Sequence, residues 1–337
     1  MLAYAHGGPP ASAVLRALAA DFRVDEILGF EPSGEGEHAF VLVEKTDANT
    51  EWVARQLAAA AGVAPLAVGF AGLKDRHAVT RQVFTVQMPG RADPDWQSLA
   101  IEGVRVLSAT RHNRKLKRGA HRGNRFRIAL RDVQGERAAI ESRLDAIRAC
   151  GVPNYFGEQR FGRDGRNIAL AESLFAGRRM PRAQRGFALS AARSEIFNTL
   201  LAARVAEASW DRVLEGEVCM LDGSHAVFGP EPASDELAER LAAFDIHPTG
   251  PMWGAGELRS ESAVRELELA AAAANEGLAR GLERAGLSQE RRALRLRVAQ
   301  MQHEWESADC LVLEFQLAAG AFATAVLREL CDWNAPA

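Results

Sequence analysis

Residues 68–82 read Val68-Gly69-Phe70-Ala71-Gly72-Leu73-Lys74-Asp75-Arg76-His77-Ala78-Val79-Thr80-Arg81-Gln82. One carboxylate, Asp75, stands among side chains that are or can become cationic, after small residues that let the backbone turn tightly and approach a ligand. A β-type run from Thr80 to Met88 follows. Because neighbouring cations favour an ionised carboxylate, the pattern indicates a nucleophile or a base. The alternative is a solvated aspartate in a surface turn, which is a common arrangement next to strands.

The composition of the whole chain is that of a soluble globular protein. The 337 residues suggest about two domains. A hydrophobic content of 47% and a charged content of 25% are ordinary for this class. The formal net charge of -3 excludes a uniformly basic nucleic-acid binder, so any surface for nucleic acid has to be local.

Cysteine spacing and hydropathy restrict the protein class further. The cysteines are far apart and form no CxxC pair; they are Cys150, Cys219, Cys310 and Cys331. This spacing argues against a zinc site and a disulfide framework and fits a reducing cytoplasm. The chain contains neither a secretion signal nor an apolar run of about 18 residues. We therefore expect a cytoplasmic protein without a metal or a membrane partner.

A basic segment is the strongest charge pattern in the chain. Between Arg105 and Arg131 there are ten Lys and Arg residues and no acid. Solvated surfaces usually mix both signs, so this segregation predicts a phosphate-binding strip. The candidate RNA contacts are Arg111, Arg114, Lys115, Lys117 and Arg118. The second half of the segment alternates between apolar and mostly basic positions, which predicts a strand with one face in the core.

The composition changes after residue 162. Residues 163–298 are rich in Ala, Arg and Glu, with helical segments near 167–176, 190–208, 234–244 and 260–285, and a short hairpin is expected within 215–232. Before this region, residues 154–162 combine aromatic, Gly and Arg residues. Such a stretch can stack bases or form a rigid domain junction, and we favour the junction.

One signature motif and six further stretches, which recur in the family's order, give the chain a resemblance to a known family. Gly72, Lys74, Asp75, Ala78, Thr80 and Gln82 match the signature that carries the catalytic aspartate of the tRNA pseudouridine synthase D (TruD) family. The other matching stretches are Asp21-Phe22 with Glu26, Gly34 to His38, Gly123-Asn124 with Phe126, Val152 to Gly157 with Gln159 to Gly162, Leu189 to Arg193, and Gly320 to Thr324. The resemblance covers nearly the whole chain.

The resemblance implies an α+β fold in two parts. A mixed α/β catalytic domain of the pseudouridine synthase type would occupy residues 1–157 and 299–337, and a largely helical inserted domain, the TRUD domain, would occupy 158–298. It also implies a monomer that acts on tRNA and converts uridine-13 of the D-arm to pseudouridine without a cofactor. Asp75 would be the nucleophile.

The same resemblance assigns substrate contacts to Phe22, Asn124, Phe126 and Phe322. From the residues alone, the aromatic side chains are core candidates and Asn124 is a turn residue. Two other functions stay open. A carboxylate-dependent hydrolase would need a second acid or an acidic metal site near Asp75, and the stretch offers neither. A non-catalytic RNA-binding protein would need only the strip between Arg105 and Arg131.

Overall fold

The computed structural model describes residues 2–334 and has a mixed α/β architecture, as predicted. In chain order the strands are β1 (Ala11–Leu15), β2 (Phe22–Ile27), β3 (His38–Thr46), β4 (Val68–Phe70), β5 (Val79–Gln87), β6 (Val104–His112), β7 (Gly123–Gly135), β8 (Val152–Pro153), β9 (Glu217–Leu221), β10 (Val227–Glu231), β11 (Ile246–Met252), β12 (Glu290–Ala293), β13 (Arg295–Leu296), β14 (Ala299–Trp305), β15 (Leu311–Ala318) and β16 (Cys331–Asn334). The α-helices are α1 (Thr50–Ala60), α2 (Arg137–Cys150), α3 (Glu158–Phe161), α4 (Arg166–Phe175), α5 (Arg182–Ala206), α6 (Asp235–Ala242), α7 (Ser262–Ala273), α8 (Glu276–Arg284) and α9 (Ala323–Leu330). None of these helices is long and apolar enough to cross a membrane.

The described chain divides into two compact units. The sheet unit comprises residues 10–137, 299–320 and 331–334, and the helical unit comprises residues 2–9, 138–298 and 321–330. The predicted inserted domain, 158–298, lies entirely within the helical unit, together with 138–157 and 321–330. The outermost residues of the predicted catalytic domain, 1 and 335–337, lie outside the described residues. The limits of the inserted domain stay a prediction.

The sheet unit is built on one ten-stranded mixed sheet in the order β14-β15-β7-β2-β5-β3-β6, with β1, β4 and β16 paired beside this path. Strands β2 and β5 run parallel, and β3 pairs antiparallel with both β5 and β6. Helix α1 begins after Asn49 and buries Val53 and Leu57, which are one turn apart on the same helix face. That face packs on Val41 and Phe84 of the sheet.

The long strand β7 confirms the alternation predicted for the second half of the basic segment. Phe126, Ile128 and Leu130 are buried, whereas Arg125 is exposed and Arg127 is half-buried. Side chains two residues apart in a strand point to the same face, so one face of β7 enters the core and the other presents arginines. Along its length β7 pairs with β1, β2 and β15.

The helical unit is organised around α5, a helix of 25 residues that packs against α4, α7 and α8. The predicted helical segments and the hairpin, formed by β9 and β10, are confirmed. The hairpin belongs to a four-stranded sheet in the order β10-β9-β11-β12, which the sequence did not predict. Strand β11 reads Ile-His-Pro-Thr-Gly-Pro-Met, and Pro and Gly are depleted in strands.

Candidate active site

Asp75 lies in the loop that joins β4 to β5, within the sheet unit. The two strands pair antiparallel from Val68 opposite Val86 to Phe70 opposite Phe84, and β5 is also held by β2 and β3. The side chain of Asp75 is 39% exposed. A rigid sheet therefore presents this carboxylate at a surface that solvent or substrate can reach.

The partner of the Asp75 carboxylate is Arg16, which follows β1. Nη2 of Arg16 donates to Oδ2 of Asp75 at 2.5 Å, and its guanidinium lies 4.1 Å from the ring centroid of Phe22. The backbone of Arg16 is left-handed, with φ of 61°, which costs a non-glycine residue on the order of 1–3 kcal/mol. The ion pair and the ring contact hold Arg16 in this conformation and orient Asp75.

The cations next to Asp75 in the sequence have other partners. Nζ of Lys74 lies 3.0 Å from Oε1 of Glu26, and both side chains are buried. Nδ1 of His77 lies 3.5 Å from a carboxylate oxygen of Asp47, and Nε of Arg76 donates to the carbonyl of the same residue. The expectation that these three cations surround Asp75 is wrong, because the loop turns their side chains towards other acids.

Gln82, the last residue of the motif, holds the loop. The side-chain amide of Gln82 donates to the carbonyl of Gly72 at 3.2 Å, and its amide oxygen accepts from the Thr50 hydroxyl at 2.9 Å. That hydroxyl in turn accepts from the backbone N–H of Lys74 at 3.1 Å. A buried side chain of β5 thus ties the loop on the Asp75 side to the first turn of α1.

Lys45, which the sequence analysis did not single out, supports Asp75 from β3. Its Nζ donates to the backbone carbonyl of Asp75 at 2.8 Å, and no part of its side chain is exposed. Burial lowers the pKa of Lys45 to about 8, although the negative charges of Asp75 and Asp47 oppose this shift. Lys45 continues the buried series Val41 and Val43 at alternate positions. In the sequence, a lysine at the end of an alternating apolar series could have indicated a buried charge with a specific partner.

The aromatic candidates of the sheet unit form one stack. Phe22 and Phe126 meet edge to face with centroids 6.2 Å apart, and Phe126 stacks on Phe315 at 5.4 Å. Phe22 and Phe126 are only 2% and 6% exposed. Since Arg16 touches both Asp75 and Phe22, the structure brings these rings to the same site as the carboxylate.

Asn124 lies two residues before Phe126 on β7 and therefore on the same face of the sheet. It is 8% exposed, and its amide oxygen has no hydrogen-bond partner within residues 2–334. Phe322 lies in the helical unit, where it is half-buried just before α9 and its ring meets Phe156.

Asp21, part of the Asp21-Phe22 motif, has a structural role. Its carboxylate accepts from Nε and Nη2 of Arg131 at 2.9 and 2.6 Å and from the backbone N–H of Leu18 at 2.8 Å. Burial acts to raise the pKa of Asp21, but these hydrogen bonds outweigh burial, and its pKa lies below the usual value. This clamp fixes the turn between Arg16 and β2.

In the fold, carboxylates from other parts of the chain neutralise part of the basic segment, although the segment itself contains no acid. Acids from other elements pair with half of its cations; these pairs are Arg105–Glu44, Arg111–Asp93, Arg118–Glu51, Arg127–Glu306 and Arg131–Asp21. Nζ of Lys115 donates to the carbonyl of Leu66. Four exposed cations pair with no carboxylate in the described chain; they are Arg114, Lys117, Arg122 and Arg125.

The site is thus a carboxylate oriented by an arginine on a mixed sheet, with buried rings and an unpartnered amide beside it. No cluster of three or more His, Cys, Asp or Glu side chains able to hold a metal occurs in residues 2–334. A crystal structure of a Methanosarcina mazei protein, provisionally named tRNA pseudouridine synthase D (TruD), has the same fold. It aligns with a TM-score of 0.73 over 97% of this chain and 95% of the other, at 20% identity.

Sequence comparison specifies the family. The model of the family "tRNA pseudouridine synthase D (TruD)" matches residues 1–177 and 171–330. The chain is 53% identical to tRNA pseudouridine synthase D of Xanthomonas euvesicatoria, over 98% of this chain and 95% of the relative. It is 49% identical to the same enzyme of Methylococcus capsulatus, over 98% and 94%. The chain belongs to the tRNA pseudouridine synthase D (TruD) family, which confirms the resemblance noted in the sequence.

Proposed function

We propose that this protein is a tRNA pseudouridine synthase, an isomerase that converts uridine to pseudouridine within tRNA. The observation that carries the proposal is the carboxylate of Asp75, held by Arg16 at 2.5 Å on the signature loop of the family. A positioned carboxylate that solvent can reach is a competent covalent nucleophile. From the family resemblance we further propose that the target is uridine-13 in the D-arm.

The reaction is an isomerisation, so its atoms balance within one nucleotide. The N1–C1′ bond breaks, the uracil turns, and C5 bonds to C1′; the hydrogen leaves C5 and N1 gains a proton. In the proposed mechanism the Asp75 carboxylate is the nucleophile: it forms a transient covalent bond to the nucleotide, and this bond breaks again before pseudouridine leaves. Arg16 keeps the carboxylate in one orientation while the base is detached. Lys45 donates a hydrogen bond to the backbone carbonyl of Asp75. These contacts restrict the movement of the nucleophile. Catalytic groups have to stay within about 0.5 Å of their productive positions.

A uridine inside a helix is not reachable, so the target base must be flipped out and stacked on an apolar surface. Phe22 and Phe126 are the proposed wall beneath Arg16. The buried amide oxygen of Asn124 supports a polar contact to the base, because an unsatisfied buried acceptor costs about 1–3 kcal/mol unless a ligand donates to it. Phe322 stays a prediction from the family resemblance.

The test is release of tritium from tRNA that carries 5-tritiated uridine. We expect Asp75→Asn to abolish release while tRNA binding persists, because the amide keeps the shape of the side chain but is a poor nucleophile. Asp47→Asn is the matched control, since Asp47 is an exposed acid near the same loop, and it should stay active. Chemical mapping of the product then locates the modified uridine.

Two other outcomes have defined meanings. Turnover by Asp75→Asn at more than a small fraction of the wild-type rate contradicts the proposed nucleophile. Tight tRNA binding without tritium release from the wild type favours the alternative, a non-catalytic RNA-binding protein. A product mapped at another uridine leaves the activity in place and refutes the assignment to position 13.

A further inference from the structure

Three of the stretches that carry the family resemblance meet in the helical unit. They supply Asn154 and Phe156 after β8, Arg160 in α3, Ser190 in α5, and Phe322 before α9. The rings of Phe156 and Phe322 lie 6.4 Å apart at an angle of 60°. Residues that are distant in the sequence therefore build one small cluster of rings and polar groups.

Arg160 is the first cation of this cluster. Its guanidinium carbon lies 5.0 Å from the centroid of Phe156 and 5.7 Å from that of Phe322. Nη1 donates to the Ser190 hydroxyl at 2.7 Å, whereas Nε is buried and has no hydrogen-bond partner in the described chain. No carboxylate of residues 2–334 pairs with this guanidinium, and its pKa is lowered by burial.

Arg292 is the second cation, and it shares the ring of Phe156 at 4.1 Å. Its Nη2 donates to the side-chain oxygen of Asn154 at 2.6 Å. Burial, and after it the positive charge of Arg160, lowers the pKa of Arg292 to about 9. Both guanidinium groups thus face the ring of Phe156. Buried charges are normally paired with an opposite charge, and Arg160 has no carboxylate partner in the described chain.

Arg160 can be compared with other arginines that stack on phenylalanine rings in the same unit. Arg240 lies 5.2 Å from the centroid of Phe228, and its Nε donates to the Asp245 carboxylate at 2.7 Å. Other stacked arginines of this unit thus have a carboxylate or several acceptors: Arg240 pairs with Asp245, and Arg295, which lies 4.2 Å from Phe244, donates to the carbonyls of Leu241 and Ile246. For Arg160 the corresponding partner within the described chain is the neutral hydroxyl of Ser190.

We propose that Arg160 and Arg292, stacked on Phe156 and Phe322, form an anion-binding subsite that takes a backbone phosphate of the RNA substrate. This inference rests on the proposed function for the identity of the ligand. Planar guanidinium groups match the oxygen atoms of a phosphate and bind it with charge-assisted hydrogen bonds. The half-buried ring of Phe322 provides an adjacent face on which a neighbouring base can stack.

The first experiment uses inorganic phosphate as the probe. Thermal melts are recorded in phosphate and in chloride at equal ionic strength for the wild type, Arg160→Gln and the control Arg240→Gln. Because phosphate binds only the folded protein, we expect it to raise the melting temperature of the wild type and of the control more than that of Arg160→Gln. An equal rise in all three proteins overturns the anion subsite and leaves a purely structural stack.

The second experiment measures tRNA affinity against salt concentration for the same proteins, each in an Asp75→Asn background. Failure of the proposed catalysis then cannot affect the result. Loss of one phosphate contact should weaken binding about tenfold at low salt and flatten the logarithmic salt dependence by about 0.7–0.9. A phosphate effect on melting together with an unchanged salt dependence overturns the assignment to RNA.

If Arg160→Gln does not fold, Arg160→Lys replaces it in both experiments. Lysine keeps the charge and the apolar stem but loses the planar fork. We expect Arg160→Lys to retain part of the phosphate effect and part of the salt dependence. Full retention of tRNA affinity, salt dependence and phosphate response by Arg160→Lys would show that the fork geometry is not used, which contradicts the proposed binding mode.

Discussion

Nζ of Lys45 donates to the backbone carbonyl of Asp75 at 2.8 Å from a side chain with no exposed surface. The contact joins the third strand of the sheet to the loop that carries the proposed nucleophile. A buried ammonium is costly: a pKa lowered from 10.5 to about 8 corresponds to about 3 kcal/mol for keeping the charge in the fold. We infer that Lys45 is a positioning residue for Asp75.

Replacing Lys45 by Met should separate activity from stability. At neutral pH the variant loses one hydrogen bond but also the cost of the buried charge, so its free energy of unfolding should change by less than about 2 kcal/mol. Turnover should fall by about 10- to 100-fold, because a small displacement of a reacting group has effects of this size. Tritium release and urea unfolding measure the two quantities. Arg55→Met, at an exposed position of α1, is the matched control.

The pH dependence of stability gives an independent check on Lys45. Its folded pKa lies below its unfolded value, so the cost of its charge is fully present below about pH 8. As pH rises from about 8 towards 10.5, the folded protein releases this proton while the unfolded chain still holds it, and the wild type gains stability. The stability of Lys45→Met relative to wild type should therefore decrease over this range. A constant difference, or full turnover in Lys45→Met, contradicts the assigned role.

The clamp between Asp21 and Arg131 should stabilise the fold in a pH-dependent manner. Asp21→Asn should lower the free energy of unfolding by about 1.5–3 kcal/mol at pH 7, the usual value for hydrogen bonds to a charged group. The pKa of Asp21 is lowered in the fold, so its contribution is present above the unfolded value of about 3.9 and disappears as pH falls through the folded pKa. Urea unfolding of wild type and variant at pH 7 and near pH 3 tests this.

The control for the clamp is Asp93→Asn, which breaks the pair with Arg111 and whose carboxylate is more exposed than that of Asp21. That variant should lose no more than about 1 kcal/mol at pH 7. Equal losses in Asp21→Asn and Asp93→Asn, or a loss in Asp21→Asn that persists at the lower pH, would show that the clamp is not the source of the effect.

Phe126 and Phe322 should respond differently to truncation. Phe126 is 6% exposed and lies between Phe22 and Phe315, so Phe126→Ala should cost about 3–5 kcal/mol of stability. Phe322 is half-buried, and Phe322→Ala should lower turnover per folded molecule more than it lowers stability. Thermal melts and tritium release compare the two. Equal destabilisation with intact turnover in Phe322→Ala would identify Phe322 as a core residue.

Salt dependence of tRNA binding should distinguish free cations from paired cations in the basic segment. Arg114 and Lys117 are exposed without a carboxylate partner in the described chain, so replacing both by Gln should flatten the logarithmic salt dependence by about 1.4–1.8. Arg105 and Arg127 already pair with carboxylates, and the same double replacement there should change it little. Similar effects in both variants would show that the ion pairs open when tRNA binds.

Local periodicity predicted much of the fold correctly. The alternation around Phe126 and Ile128 defined β7, and the helical segment predicted near 167–176 corresponds to α4. Strand β11 was missed because its residues, with Pro248 and Pro251, do not favour a strand in isolation. It forms between β9 and β12, and such tertiary pairing is not visible in a local sequence pattern.

The residues of the candidate site that lie in one short motif could be predicted from the sequence. Their partners could not, because strand pairing brings them from distant parts of the chain. Asp75 stands in a recognisable motif, but its partner Arg16 comes from another strand end. The acids that neutralise the basic segment were missed for the same reason: β3 places Glu44 directly opposite Arg105 on β6. Counting charges along the chain cannot reveal such pairs, because their members are more distant in sequence than any local window.

The pairing of β7 also has a consequence for the timing of biosynthesis. Strand β7 ends at Gly135, whereas its neighbour β15 begins at Leu311 and β1 completes its own pairing only with β16. At a ribosomal rate of about 5–20 residues per second, the interval between the two strands lasts on the order of ten seconds. Throughout that interval one edge of β7 has no partner from its own chain, and open edges invite association with other chains. We therefore expect the nascent chain to be most open to such association while residues 138–298 of the helical unit are synthesised.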